Sequence, residues 1–261
     1  MIAVASPKGG VGKTTICSNL GHTFASLRGD RVVAIDGSTD LGTLAGRVRR
    51  QTPWGREDLL AQAGSLTSAA EVRAFTSQAS SRLEVLAGVA DPSRTAALEA
   101  TEIQAVLGLL QRHYQLLLFD CGPGLRDAGT RAIFEAADQL VVVVGPTREA
   151  AWASAHLLSW LAVHGHQQLA EGAIAVVNGV SSSRRRDGHV AEITDYFAQQ
   201  CRHVVQVPFD PFLAARANTS LGQLAAATRD AYLELAAAVA AGFEQPTVPT
   251  PAEQEALRCT P

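Results

Sequence analysis

The stretch Met1-Ile2-Ala3-Val4-Ala5-Ser6-Pro7-Lys8-Gly9-Gly10-Val11-Gly12-Lys13-Thr14-Thr15 decides the fold. A short apolar strand runs into a glycine-rich turn, and the turn runs into a segment of helical spacing from Lys13. Glycines 9, 10 and 12 let the backbone curl until several N–H groups face one anion. The helix that follows points the positive end of its dipole at the same spot. In that setting Lys13 is placed to reach the β- and γ-phosphates of a nucleotide, and the Thr14 hydroxyl to ligate Mg²⁺.

Working outward, the spacing of Ile16, Leu20, Phe24 and Leu27 predicts a helix over 13–27 with one buried face, ended by Arg28-Gly29-Asp30. Arg31-Val-Val-Ala-Ile35 reads as a buried parallel strand that ends at Asp36. Ligands sit at the carboxyl ends of such strands, so Asp36 falls on the ligand side. Asp36 and Asp40, four apart, can orient Mg-bound water or an attacking water. Tyr114 to Phe119 is a second buried strand, ending in Asp120-Cys121-Gly122-Pro123-Gly124. A carboxylate there accepts from Mg-bound water, the Walker B arrangement, and the glycines let the loop approach a γ-phosphate.

Further strands are expected at 83–87, at 139–144 in the centre of the sheet, at 172–179 and at 204–207. Helices are expected at 56–62, 69–78, 101–113, 129–137, 148–163, 190–200 and 230–243. Strands alternating with helices predict an α/β fold with a doubly wound, mostly parallel sheet of about seven strands. One domain is expected over 1–243, followed by a proline-rich, disordered tail over 244–261. That tail carries neither the charge nor the apolar face of a membrane-binding helix, so no direct membrane anchor is expected.

The general phosphate-loop motif asks for glycine five residues before Gly12, where Pro7 stands, and a second lysine, Lys8, precedes the glycines. Lys8-Gly-Gly-Val-Gly-Lys-Thr-Thr15 resembles the deviant Walker A loop of the MinD/ParA/nitrogenase-iron-protein group of P-loop ATPases. The order of motifs follows that group over roughly residues 1–243. The resemblance implies ATP and Mg²⁺ as cofactors, held by Lys8, Gly9, Gly10, Val11, Gly12, Lys13, Thr14 and Thr15, with Thr14, Asp36 and Asp120 around the metal. It implies an ATP-sandwich homodimer in which Lys8 reaches the partner's phosphates. It places Asn178, at a strand end, on the adenine, and Pro208-Phe209-Asp210 against the base. It assigns catalysis to Lys8, Lys13, Asp36 and Asp40, with Asp40 as the coupling switch residue.

Two departures stand out. ParA-type ATPases usually carry Asp-x-Asp, and here Ser38 holds the second place; Asp36 and Asp40 match the Asp-x-x-x-Asp spacing of the nitrogenase iron protein. Cys121 replaces the usual threonine of the Walker B loop. Details such as Asp40-Leu-Gly-Thr-Leu44 and Val207-Pro-Phe-Asp210 are similar to actinobacterial MinD-like ATPases, some encoded with type VII secretion systems. Such proteins often carry a proline-rich segment ahead of the ATPase, which these 261 residues do not include.

Composition bounds the function. At 47% hydrophobic and 18% charged residues, a sizeable core is expected, and a net charge of −3 gives no overall pull toward nucleic acid or anionic membrane. Four scattered cysteines without a C-x-x-C pair, and no leader or spanning segment, predict a soluble cytoplasmic protein. The function implied is an ATP hydrolase, slow without an unknown protein partner, that regulates or positions a cellular machine. Two alternatives stay open. One is a DNA-partition ATPase holding DNA phosphates through Arg184, Arg185 and Arg186. The other is a nucleotide-locked scaffold with little hydrolysis.

Overall fold

The computed structural model describes residues 1–38, 42–88, 99–122, 128–181, 187–215 and 220–243. Eight strands form one sheet. They are β1 Ile2–Ala5, β2 Val32–Gly37, β3 Thr76–Gln78, β4 Glu84–Leu86, β5 Leu116–Cys121, β6 Gln139–Val144, β7 Ile174–Val180 and β8 His203–Pro208. Their order across the sheet is β3-β4-β2-β5-β1-β6-β7-β8, and every pair is parallel except β3 with β4. Strands this apolar need both faces covered, and both are. Ala3, Ile35, Phe119 and Val142 point to one face, while Ile2, Val4, Ala34 and Val141 point to the other.

The first face is covered by α2 Arg56–Ala61, α3 Ala69–Arg73, α4 Ala100–Leu110, α5 Ala128–Ala136, α6 Arg148–Val163, α7 Gln167–Glu171 and α8 Asp187–Gln200. On the second face, α1 Lys13–Leu27 packs beside a 3₁₀ turn at Leu44–Arg47 and, later in the chain, beside α10 Ala226–Ala240. A short α9, Pro211–Ala215, follows β8. The chain leaves β1 toward β2 on one side, and after β5 it crosses to β6 on the other. The order therefore reverses at β1, and the crevice at the carboxyl end of β1 is where such sheets bind ligands.

Three local expectations are corrected. The segment 69–78, expected to be wholly helical, holds α3 only to Arg73, and Thr76–Gln78 pairs with Glu84–Leu86 as an extra, antiparallel edge strand. Pairing across the tight 79–83 turn prevails over local propensity. Arg82 takes a φ of 75° there, its guanidinium held by the carbonyls of Ala25 and Arg28 at 2.8 and 3.0 Å. Leu27 is 65% exposed, because α1 outruns the edge of the core. Gly29 is not in the left-handed region; α1 ends because Arg28 turns extended, at φ −106°, while its N–H still reaches the Phe24 carbonyl.

Leu20 is fully buried between α1, the sheet and α10. Leu20→Ala should cost about 2–5 kcal/mol of unfolding free energy, read from the midpoint of a denaturant titration with an unchanged slope.

Candidate nucleotide site

The site is built where β1 runs out. The Ser6 hydroxyl accepts from the Lys8 amide at 3.3 Å, bending the chain out of the strand. Gly10 and Gly12 then take φ values of 79° and 96°, the left-handed region that glycine enters without strain. Gly12 opens α1, its carbonyl accepting from the Ile16 amide at 2.9 Å. No side chain caps this end and its first turn carries no acid. The leading N–H groups and the dipole are therefore offered to an anion.

The loop is braced from outside. Asn178, near the end of β7, donates Nδ2 to the Val11 carbonyl at 2.8 Å. A Cβ on Gly12 would stand 2.2 Å from that same Nδ2. Lys8 reaches sideways, Nζ to Glu149 Oε1 at 2.6 Å, in the first turn of α6. Both partners are exposed, so the pair is a loose tether rather than a lock.

Asp36 and Asp120 lie side by side in register at the ends of β2 and β5, at 0% and 2% exposure. The Asp36 carboxylate accepts from the amides of Ser38 at 2.9 Å and Leu44 at 3.1 Å, drawing both onto itself. The approach is so close that a Cβ on Gly42 would lie 2.0 Å from Asp36 Oδ2. Thr43 donates its hydroxyl to Thr14 Oγ1 at 3.3 Å, and Thr14 in turn hydrogen-bonds Asp120. Asp120 Oδ1 is buried and has no hydrogen-bond partner among the described residues.

Burial pushes the Asp120 carboxyl up to about 7, and the neighbouring Asp36 adds to the rise. The Thr14 hydroxyl, Lys13 and Arg47 pull against it. A buried carboxylate with an orphaned oxygen, beside a second carboxylate and a threonine hydroxyl, is an oxygen set that suits Mg²⁺. The α1 terminus suits phosphate. The residues present therefore fit a Mg-nucleotide.

Two arginines complete the electrostatics, and neither was read as part of a site. Arg47, half-buried in the 3₁₀ turn, is depressed by burial and supported by Asp120 and Tyr232. Arg56, 2% exposed, donates Nη1 to the Asp36 main-chain carbonyl at 2.6 Å. In the sequence Arg47 belonged to a basic cluster with Arg49 and Arg50, and Arg56 marked only a helix start. Thr43 and Glu149 were missed as well, since their partners lie 29 and 141 positions away.

At the base end, Phe209 is 57% exposed, and its amide is held by the Val180 carbonyl at 2.8 Å. Asp210 turns inward, accepting from the amides of Phe212 at 2.9 Å and Ala225 at 3.0 Å, so it shapes its loop. Trp160 packs against Phe134 at the core margin, whereas Trp152 stands 66% exposed. Asp40, Gly124, Arg184, Arg185, Arg186 and the 244–261 tail lie outside the described residues. Among the described residues, Cys17, Cys121 and Cys201 are buried and form no disulfide, and no helix is long and apolar enough to cross a membrane.

This arrangement defines a P-loop nucleotide-binding α/β protein. The chain belongs to the CobQ/CobB/MinD/ParA nucleotide-binding domain family, whose model matches residues 2–244. It is 35% identical over 246 residues to the ESX-1 secretion-associated protein EspI of Mycobacterium tuberculosis, covering 94% of this chain but only 37% of EspI. A ParA family ATPase from Chlorobium tepidum superposes with a TM-score of 0.74 at 15% identity, covering 90% of this chain and 96% of that one. The septum site-determining protein MinD of Pyrococcus horikoshii, solved with Mg-ADP, superposes with a TM-score of 0.69 at 20% identity, covering 94% and 98%.

Gly12→Ala should abolish nucleotide binding in a fluorescent-ADP titration, since the new methyl group meets both a left-handed φ and the Asn178 brace. Asp120 yields a pH test. Its folded pKa of about 7 lies above the unfolded value of about 3.9, so its contribution stabilises at low pH and is lost as pH rises through 7. Asp120→Asn should therefore gain stability relative to wild type between about pH 4 and pH 8. Thermal midpoints in buffer free of Mg²⁺ and nucleotide check this, and a flat difference across that range would refute it.

Proposed function

We propose that the chain binds Mg-ATP and hydrolyses it slowly as a face-to-face homodimer, acting as a nucleotide switch on a protein machine. The observation that carries the reading is the uncapped, acid-free start of α1 under a left-handed bend, set beside the orphaned oxygen of Asp120. In this reading Lys13 and the amides of residues 9–15 hold the phosphates. Thr14, Asp36 and Asp120 hold the Mg²⁺ shell, directly or through water. Bound Mg²⁺ neutralises the phosphate charge that builds up as the γ-phosphoryl group passes to water.

Lys8 supports the dimer part of the proposal. Among the described residues its ammonium is tied by the exposed contact to Glu149 alone, a tether loose enough to let it swing toward a second copy. Asn178 would meet adenine through Oδ1, its Nδ2 being spent on Val11, with exposed Phe209 against the base. Asp40 is proposed as the residue that couples hydrolysis to the switch. Ser38, in place of a second nearby acid, makes a stimulating protein partner part of the same reading.

The kind of machine is suggested by EspI, an ESX-1 secretion-associated protein, so the proposed client is a secretion or cell-pole apparatus. This chain spans little more than a third of EspI, and what the rest of that protein does is not carried over. A cytoplasmic location completes the proposal, in keeping with buried cysteines that form no disulfide among the described residues.

The test is size-exclusion chromatography with light scattering, together with phosphate release, on wild type and Lys8→Ala with and without ATP. Wild type should dimerise with ATP and turn over slowly. Lys8→Ala should bind nucleotide yet lose dimer-dependent turnover. A wild type that stays monomeric with ATP overturns the sandwich.

A further inference from the structure

A fully buried arginine needs a reason, because transferring a guanidinium out of water is expensive unless it is paired and hydrogen-bonded. Arg56 is such a residue. It opens α2, where its amide donates to the Ala87 carbonyl at 2.9 Å, just past the end of β4. Its side chain runs inward, under the end of β2, and Nη1 donates to the Asp36 carbonyl at 2.6 Å. Burial lowers its affinity for its proton, and the Asp36 carboxylate is the strongest of the charges that restore it.

The backbone around this contact admits no side chains. A Cβ on Gly55 would lie 2.4 Å from the Gly88 carbonyl, and one on Gly88 would lie 3.3 Å from Asp36 Cγ. Gly42 and Gly88, with the amides of Ser38 and Leu44, thus close in on the Asp36 carboxylate. The enclosure joins α2, the end of β4 and the first switch into one body, with Arg56 as the only long side chain reaching through it among those contacts.

We propose that Arg56 is a positioning residue of the nucleotide site, fixing the main chain and carboxylate of Asp36 so that the first switch responds to Mg-nucleotide. The inference rests on the nucleotide-switch reading above. Arg56 acts through Asp36 and touches no nucleotide itself. With the guanidinium removed, the end of β2 loses both a hydrogen bond and a nearby cation, and the Ser38 and Leu44 amides lose their fixed acceptor.

The first arm of the test needs no nucleotide. Amide hydrogen exchange on the full chain should show Ser38 and Leu44 exchanging about tenfold faster or more in Arg56→Met, with β6 and β7 unchanged. Arg56→Lys, which keeps the charge, should lie between Arg56→Met and wild type, and it carries the test should Arg56→Met fail to fold.

The second arm is fluorescent-ADP binding with Mg²⁺ or with EDTA. Arg56→Met should weaken binding about tenfold or more with Mg²⁺ and less than about threefold in EDTA. The Mg²⁺-specific loss should vanish in an Asp36→Asn background, because Arg56 acts on Mg²⁺ through that carboxylate, while its hydrogen bond to the Asp36 main-chain carbonyl is kept there. Unchanged exchange at Ser38 and Leu44, or an equal loss with and without Mg²⁺, or a loss that persists in Asp36→Asn, each overturns the inference. A wild type that binds no nucleotide instead overturns the switch reading, while the exchange arm still decides the role of Arg56.

Discussion

Two carboxylates stand shoulder to shoulder in the dry interior of this sheet, and the surrounding structure answers to them. Asp36 and Asp120 occupy the same register on adjacent strands, both almost wholly withdrawn from water. Burial, and then the neighbouring Asp36, oppose ionisation of Asp120. The chain offsets this with amides of Ser38 and Leu44 on one carboxylate, Thr14 on the other, and Arg56, Arg47 and Lys13 as nearby cations. Asp120 Oδ1 is left over among the described residues. A pair held this way is matched to a hard divalent cation with oxygen ligands.

The phosphate end follows a different logic, that of pre-shaped backbone. The left-handed turns at Gly10 and Gly12 point main-chain donors inward, and Asn178 holds the loop open from β7. Because the strand order reverses at β1, the loop, the acidic pair and the loop after β8 all gather at one edge of the sheet. Thr43 and Leu44 are joined to Thr14 and Asp36, and Arg56 ties the Asp36 main chain to α2. Contacts therefore link the phosphate loop to α2 through Thr14, Thr43, Leu44, Asp36 and Arg56.

Much of this was legible beforehand. The phosphate loop, α1 from Lys13 to Leu27, α6 from Arg148 to Val163 and the strands ending in Asp36 and Asp120 are set by local pattern: glycine spacing, helical periodicity and unbroken apolar runs. Parallel strands in a buried sheet write themselves as such runs because both faces must be covered. Less legible was Thr76–Gln78, three polar residues whose strand character comes only from pairing with Glu84–Leu86. The end of α1 was likewise misplaced in mechanism, since the glycine after it has no conformational work to do.

The sequence by itself determined the nucleotide-binding class, the strand–helix alternation and the two acids at strand ends, because each depends on neighbours a few positions away. Only the tertiary structure decided which arginines enter the interior, that Asn178 braces the loop, that Thr43 meets Thr14 and that Lys8 rests on Glu149. Arg47, Arg49, Arg50 and Arg56 look alike along the chain. Burial and pairing separate them, and those depend on which residues folding brings together across tens of positions.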